Sequence, residues 1–209
     1  FGRVALRGGL VTAGAQGFKM VIQFISVIIL ARLLVPEDFG LVASVGPIVA
    51  FVGLLQNLGL QQALVQRKDI SDRQLNQVFW VSALVGLGSS VVVAALAPAI
   101  AAFYGDQRML GITIASALPL LLGSIAAVPL ALMNRHLQFG QLALNDVITA
   151  AAGLLAAAIA AWAGMGYWSL VLGPAVAAGV SLAAALDVGR EVPPRSVPES
   201  DGATVLFCA

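Results

Sequence analysis

Six apolar stretches, each long enough to cross a bilayer, follow one another with only short polar breaks between them. A spanning helix takes about 20 apolar residues. The stretches are Gly9–Leu34, Phe39–Leu64, Val78–Phe103, Leu110–Met133, Leu142–Trp162 and Tyr167–Leu186. The breaks read VPED, QRKDISDRQLNQ, YGDQR, NRHLQFGQ and AGMG. Connections this tight imply antiparallel neighbours. The expected fold class is an all-α integral membrane protein, a six-transmembrane-helix bundle. Composition agrees. Only 10% of the 209 residues are charged, against about 25% in a soluble domain whose surface faces water. The mean hydropathy is +0.97.

The partner fixed by composition is the lipid bilayer. A net charge of +1 gives no reason to expect nucleic acid. Cys208 is the single cysteine, which excludes an intramolecular disulfide. Residues 1–188 read as one six-helix unit. Residues 189–209 contain REVPPRSVPESDGA, a polar, proline-rich linker, followed by TVLFCA, which reads as the start of a further helix. Phe1 in place of Met reads as a trimmed start, and the last residues read as an interruption.

Orientation follows from Lys and Arg in the loops. With the N-terminus in the cytoplasm, Arg3, Arg7, Arg67, Lys68, Arg73, Arg135, Arg190 and Arg195 lie inside. Arg32 and Arg108 lie outside, and Lys19 is within a helix. Both termini are therefore expected to be cytoplasmic. Trp80 falls at the inner interface and Tyr104, Trp162, Tyr167 and Trp168 at the outer one, where amphipathic rings prefer to sit. Pro47, Pro98, Pro119, Pro129 and Pro174 lie inside helices. Each removes a backbone hydrogen bond, which neighbouring helices can re-satisfy. Bent, cavity-lining helices and mere tolerance both fit. Alanine and glycine crowd Ala150–Ala161, a signal for close helix packing.

The first helix carries the candidate chemistry. Relative to Gln16, Thr12 lies at about −40°, Lys19 at about −60°, Gln23 at about −20° and Ser26 at about −80°. These five residues share one arc of an otherwise apolar helix. Lys19 is expected about 15 Å from the inner end. A charge at that depth is expensive unless it meets a partner or a wet cavity. It could bind an anionic substrate, or pair with Asp146. Asp146 is expected in the first turn of helix five, where the helix dipole favours an acid. Ion coupling is the other reading. Gln56, Asn57, Gln61 and Gln62 read as interfacial, and His136 is given no role. Pro36 is expected to end helix one, with Asp38 capping helix two and Arg32 offsetting Glu37 and Asp38.

No P-loop, metal-spaced His or Cys cluster or nucleophile elbow occurs. No catalytic residue, metal or cofactor is assigned. The short outer loops leave no room for the catalytic loop of a membrane polysaccharide polymerase or glycosyltransferase.

Several stretches carry a resemblance. They are ARLLVPEDFGLVA (Ala31–Ala43), LGLQQALVQRKDIS (Leu58–Ser71), QLNQVFW (Gln74–Trp80), APAIAAFYGD (Ala97–Asp106), NRHLQF (Asn134–Phe139) and GMGYWSLV (Gly164–Val171). In order and spacing they resemble the polysaccharide-transporter branch of the multidrug/oligosaccharidyl-lipid/polysaccharide exporter superfamily, over most of Gly9–Leu186. The resemblance implies a flippase that moves undecaprenyl-pyrophosphate-linked oligosaccharide across the bacterial inner membrane by alternating access, for O-antigen, capsule or exopolysaccharide synthesis. It implies two six-helix lobes around a cavity. This chain would be the N-terminal lobe, with the C-terminal lobe as a missing partner. An antiporter of drugs or metabolites from the same superfamily would need coupling carboxylates, for which Asp146 is the candidate. A non-functional membrane fragment is a further alternative.

Overall fold

The computed structural model describes residues 2–57, 72–135 and 139–191. The described residues form six helices: α1 (Gly2–Leu33), α2 (Pro36–Asn57), α3 (Asp72–Tyr104), α4 (Arg108–Arg135), α5 (Phe139–Trp162) and α6 (Trp168–Glu191). All six are long and apolar enough to cross a membrane, with apolar spans from Thr12–Leu33 to Trp168–Asp187. The chain is a multi-pass membrane protein with an all-helical six-span bundle.

Helix ends differ from the apolar boundaries. Backbone helix begins at Gly2 and at Asp72, and continues to Glu191. Hydropathy marks what enters hydrocarbon, whereas a helix can continue into the polar headgroup layer. The expectations for Gln61, Gln62, Arg67, Lys68, His136, Arg195 and the linker beyond residue 191 lie outside the described residues.

α3 packs along α4, α4 along α6, α6 along α5, and α5 along α1. α2 lies on α4 and α3. Among the described residues α1 meets the bundle mainly through α5, and it touches α2 only near the two-residue turn that joins them, where Phe39 packs by Leu30 and Leu34.

That turn is tighter than expected. α1 ends at Leu33, and the Leu34 N–H donates to the Leu30 carbonyl at 2.9 Å. Pro36 does not end α1 but opens α2, at the helix position where a missing N–H costs nothing. Asp38 sits inside the first turn of α2, so it acts on the helix dipole rather than as the cap. Its carboxylate lies beside Gly166 in the α5–α6 turn, where a β-carbon would be 3.4 Å from Oδ2. Among the described residues Arg32 forms no ion pair with Glu37 or Asp38.

The α5–α6 turn follows from its glycines. Gly164 has φ +78°. Its N–H donates to Ala161 at 3.0 Å, and that of Met165 to Ala160 at 3.1 Å. This is the glycine-dependent closure of a helix C-terminus. Asp106 organises the α3–α4 turn by accepting the Arg108 N–H at 2.8 Å.

One core cluster lies at the end that carries these turns, and another, Val128 and Ala131 with Val78 and Phe79, lies at the opposite end. Val45, Ile100, Met109, Ile112 and Val171 are buried together, with Tyr167 and Trp168 packed against them. These two aromatics are thus partly core residues, whereas Trp80, Phe103, Tyr104 and Trp162 are exposed. Small residues bring α5 and α6 together. A β-carbon on Gly173 would lie 3.0 Å from Ala157 Cβ, and one on Gly153 3.1 Å from Ala177 Cβ. The alanine–glycine bias of helix five therefore permits close approach to α6. In the α3–α4 pair, a β-carbon on Gly86 would overlap the Ser124 hydroxyl. Ser90 Oγ donates to the Ala117 carbonyl at 2.9 Å.

Candidate functional site

The face that α1 turns to α5 is set by helical spacing. Thr12, Ala15, Lys19, Ile22, Ser26 and Ile29 are half-buried and Leu30 is buried, a repeat of three and four residues. Leu30 and Leu34 cluster with Ala157 and Ala161 at one end of the contact. Towards the other end, Lys19 Nζ lies 3.2 Å from Asp146 Oδ1. Asp146 is 127 residues after Lys19. The same spacing separates Leu30 from Ala157 and Leu34 from Ala161, so α1 and α5 run parallel in one register.

Asp146 is held by two donors from α1. Lys19 Nζ donates to Oδ1 at 3.2 Å, and Gln16 Nε2 donates to Oδ2 at 3.0 Å. The side chains of Lys19 and Asp146 remain 39% and 29% exposed. An ammonium has three N–H donors, so Lys19 keeps donors beyond the one given to Asp146.

The helix-dipole account of Asp146 does not hold. α5 starts at Phe139, three residues before the apolar stretch, and has no acid in its first turn. Asp146 lies about 10 Å along the helix, whereas the dipole acts within the first turn. The partners on α1 account for it instead. Lys19 lies within the apolar span Thr12–Leu33 of α1.

The five-residue arc is divided. Thr12, Lys19 and Ser26 face α5, while Gln16 and Gln23 are exposed on its flank. Gln16 joins Lys19 at Asp146; Gln23 and Ser26 lie further along α1, one and two turns beyond Lys19. On α5, Asn145 is buried and its Nδ2 donates to Ser181 Oγ of α6 at 3.3 Å. Asn145 Oδ1 and Thr149 Oγ1, one turn apart, are buried without a hydrogen-bond partner among the described residues. Ser181 carried no signal in the sequence, because its meeting with Asn145 depends on how α6 is rotated against α5.

The site therefore combines one cation, one carboxylate and several neutral polar groups, set into a membrane-spanning helix pair. It offers charge and hydrogen-bond donors and acceptors.

Residues 29–190 match the family model described as polysaccharide biosynthesis protein. The chain is 30% identical to the succinoglycan biosynthesis transport protein ExoT of Rhizobium meliloti (strain 1021), over 82% of this chain and 35% of that relative. It is 25% identical to the teichuronic acid biosynthesis protein TuaB of Bacillus subtilis (strain 168), over 62% of this chain and 27% of the relative. It is 36% identical to the lipopolysaccharide biosynthesis protein WzxC of Escherichia coli (strain K12), over 32% of this chain and 13% of the relative. The chain thus spans only a minor part of the length of these curated relatives. No solved structure matches it.

Proposed function

The chain belongs to the family of polysaccharide biosynthesis proteins, and from that premise we propose that it forms one lobe of a flippase for lipid-linked oligosaccharide. The substrate class is a polyprenyl diphosphate carrying a glycan, moved across the bacterial inner membrane by alternating access. A second six-helix lobe completes the transport cavity, and both termini of this lobe face the cytoplasm. Relatives named for succinoglycan transport and for teichuronic acid and lipopolysaccharide biosynthesis support this reading. So does a lobe whose described residues are nearly all membrane-spanning helix.

The observation that carries the site is Lys19. It lies within a spanning helix and is partly exposed beside a polar flank. A diphosphate is strongly anionic, and attraction to a cation grows as the local dielectric falls. Lys19 engages the diphosphate, and Gln16, Gln23, Thr12 and Ser26 extend the polar surface along α1. The test is export of surface glycan by the two-lobe transporter. Lys19→Ala is expected to insert normally and lose export. Lys19→Arg should keep part of it, because charge is retained while shape changes. Normal export by Lys19→Ala would defeat the assignment.

A second reading has a specific observation behind it. The 3.2 Å contact to Asp146 can make Lys19 a structural half of an ion pair. Removing one partner would then leave the other charge uncompensated and weaken the lobe.

A further inference from the structure

Lys19 and Asp146 neutralise one another, and both are partly exposed. An anion that reaches Lys19 meets a cation already occupied by a carboxylate. That carboxylate is also tied through its second oxygen to Gln16 at 3.0 Å. Binding is therefore an exchange. A phosphodiester headgroup brings one charge, the same as the carboxylate it would replace. It gains no Coulomb energy at contact and is repelled by the displaced Asp146. A diphosphate brings at least two charges. In a uniform dielectric it gains once the displaced carboxylate, about equally distant from the cation and the diphosphate, lies further from both than these lie from each other. The exposure of the Asp146 side chain gives it a path by which to withdraw.

We propose that Asp146 is a specificity-determining residue of the Lys19 site. As the resident counter-ion it keeps singly charged phospholipid headgroups off Lys19 and admits lipid diphosphates. Gln16 is a positioning residue that holds the carboxylate in place. This selectivity matters in a bilayer, where singly charged headgroups compete for any exposed cation. The proposal rests on the reading of Lys19 as the headgroup site.

The test uses the full chain in detergent and compares binding of a polyprenyl diphosphate with binding of phosphatidylglycerol. The native chain is expected to prefer the diphosphate. In Asp146→Asn, affinity for phosphatidylglycerol should rise about tenfold or more, and the preference should shrink accordingly. Gln16→Met keeps both charges and a side chain of similar length but loses the donor to Oδ2. It should shift the preference in the same direction by less, and it serves if Asp146→Asn does not insert. An unchanged preference in the inserted variants overturns the proposal. Lys19→Met separates the two claims. If it binds the diphosphate as the native chain does, or if the native chain does not bind it, the Lys19 reading itself fails. If Lys19 is required but loss of Asp146 or Gln16 leaves the preference intact, only the specificity role fails.

Discussion

A lysine within a spanning helix is costly by several kcal/mol unless its charge is answered. In this chain the answer is a carboxylate on the parallel helix, 3.2 Å away. The contact answers the charge of Lys19, and it would do so whichever of the two helices carried the positive member. Exchanging the two residues separates charge balance from the place of the cation. Lys19→Asp with Asp146→Lys keeps an ion pair at the same register. It should insert and melt within a few degrees of the native protein in detergent, yet lose glycan export, because the cation has moved to α5. Retained export would mean that charge balance alone matters there. Arg32 stands apart, exposed and unpaired with Glu37 or Asp38. Arg32→Ala should leave export intact.

Among the elements, the closest approaches decide which positions tolerate a side chain. Gly86 of α3 faces the Ser124 hydroxyl, whereas two residues on, Gly88 has open space around its β-position. Gly86→Val should lower stability by about 1–3 kcal/mol through overpacking, and Gly88→Val should lower the melting temperature little. Equal effects would show that helix propensity, not the α3–α4 contact, controls these sites. Such contacts also mark where the sequence stops being legible. The six spans, the glycine turns and the polar arc of α1 follow from period, length and residue type. The partner of each helix does not. Asp146 looked like a first-turn acid because Phe139–Gln141 is too polar on average to extend an apolar stretch, yet it is helical. Tyr167 and Trp168 looked interfacial because the α4 face that receives them, where a β-carbon on Gly111 would lie 3.5 Å from the Trp168 ring, is set by packing.

At the scale of the molecule, α1 packs mainly on α5 and meets α2 near Phe39, at the end of α1 away from Lys19, whose side chain is 39% exposed. Reporters fused after Arg67, Tyr104 and Arg135 should read cytoplasmic, periplasmic and cytoplasmic, because eight loop cations then lie inside and two outside. A periplasmic signal at Arg67 would invert the bundle and move Lys19 to the periplasmic side. The proposed role of Lys19 is to serve the substrate and not only Asp146. Glycan export by the two-lobe transporter carrying Lys19→Ala together with Asp146→Ala tests it most directly. With neither charge left uncompensated, the double variant should fold and still fail to export. Full export by that variant would contradict the account and leave Lys19 a structural residue.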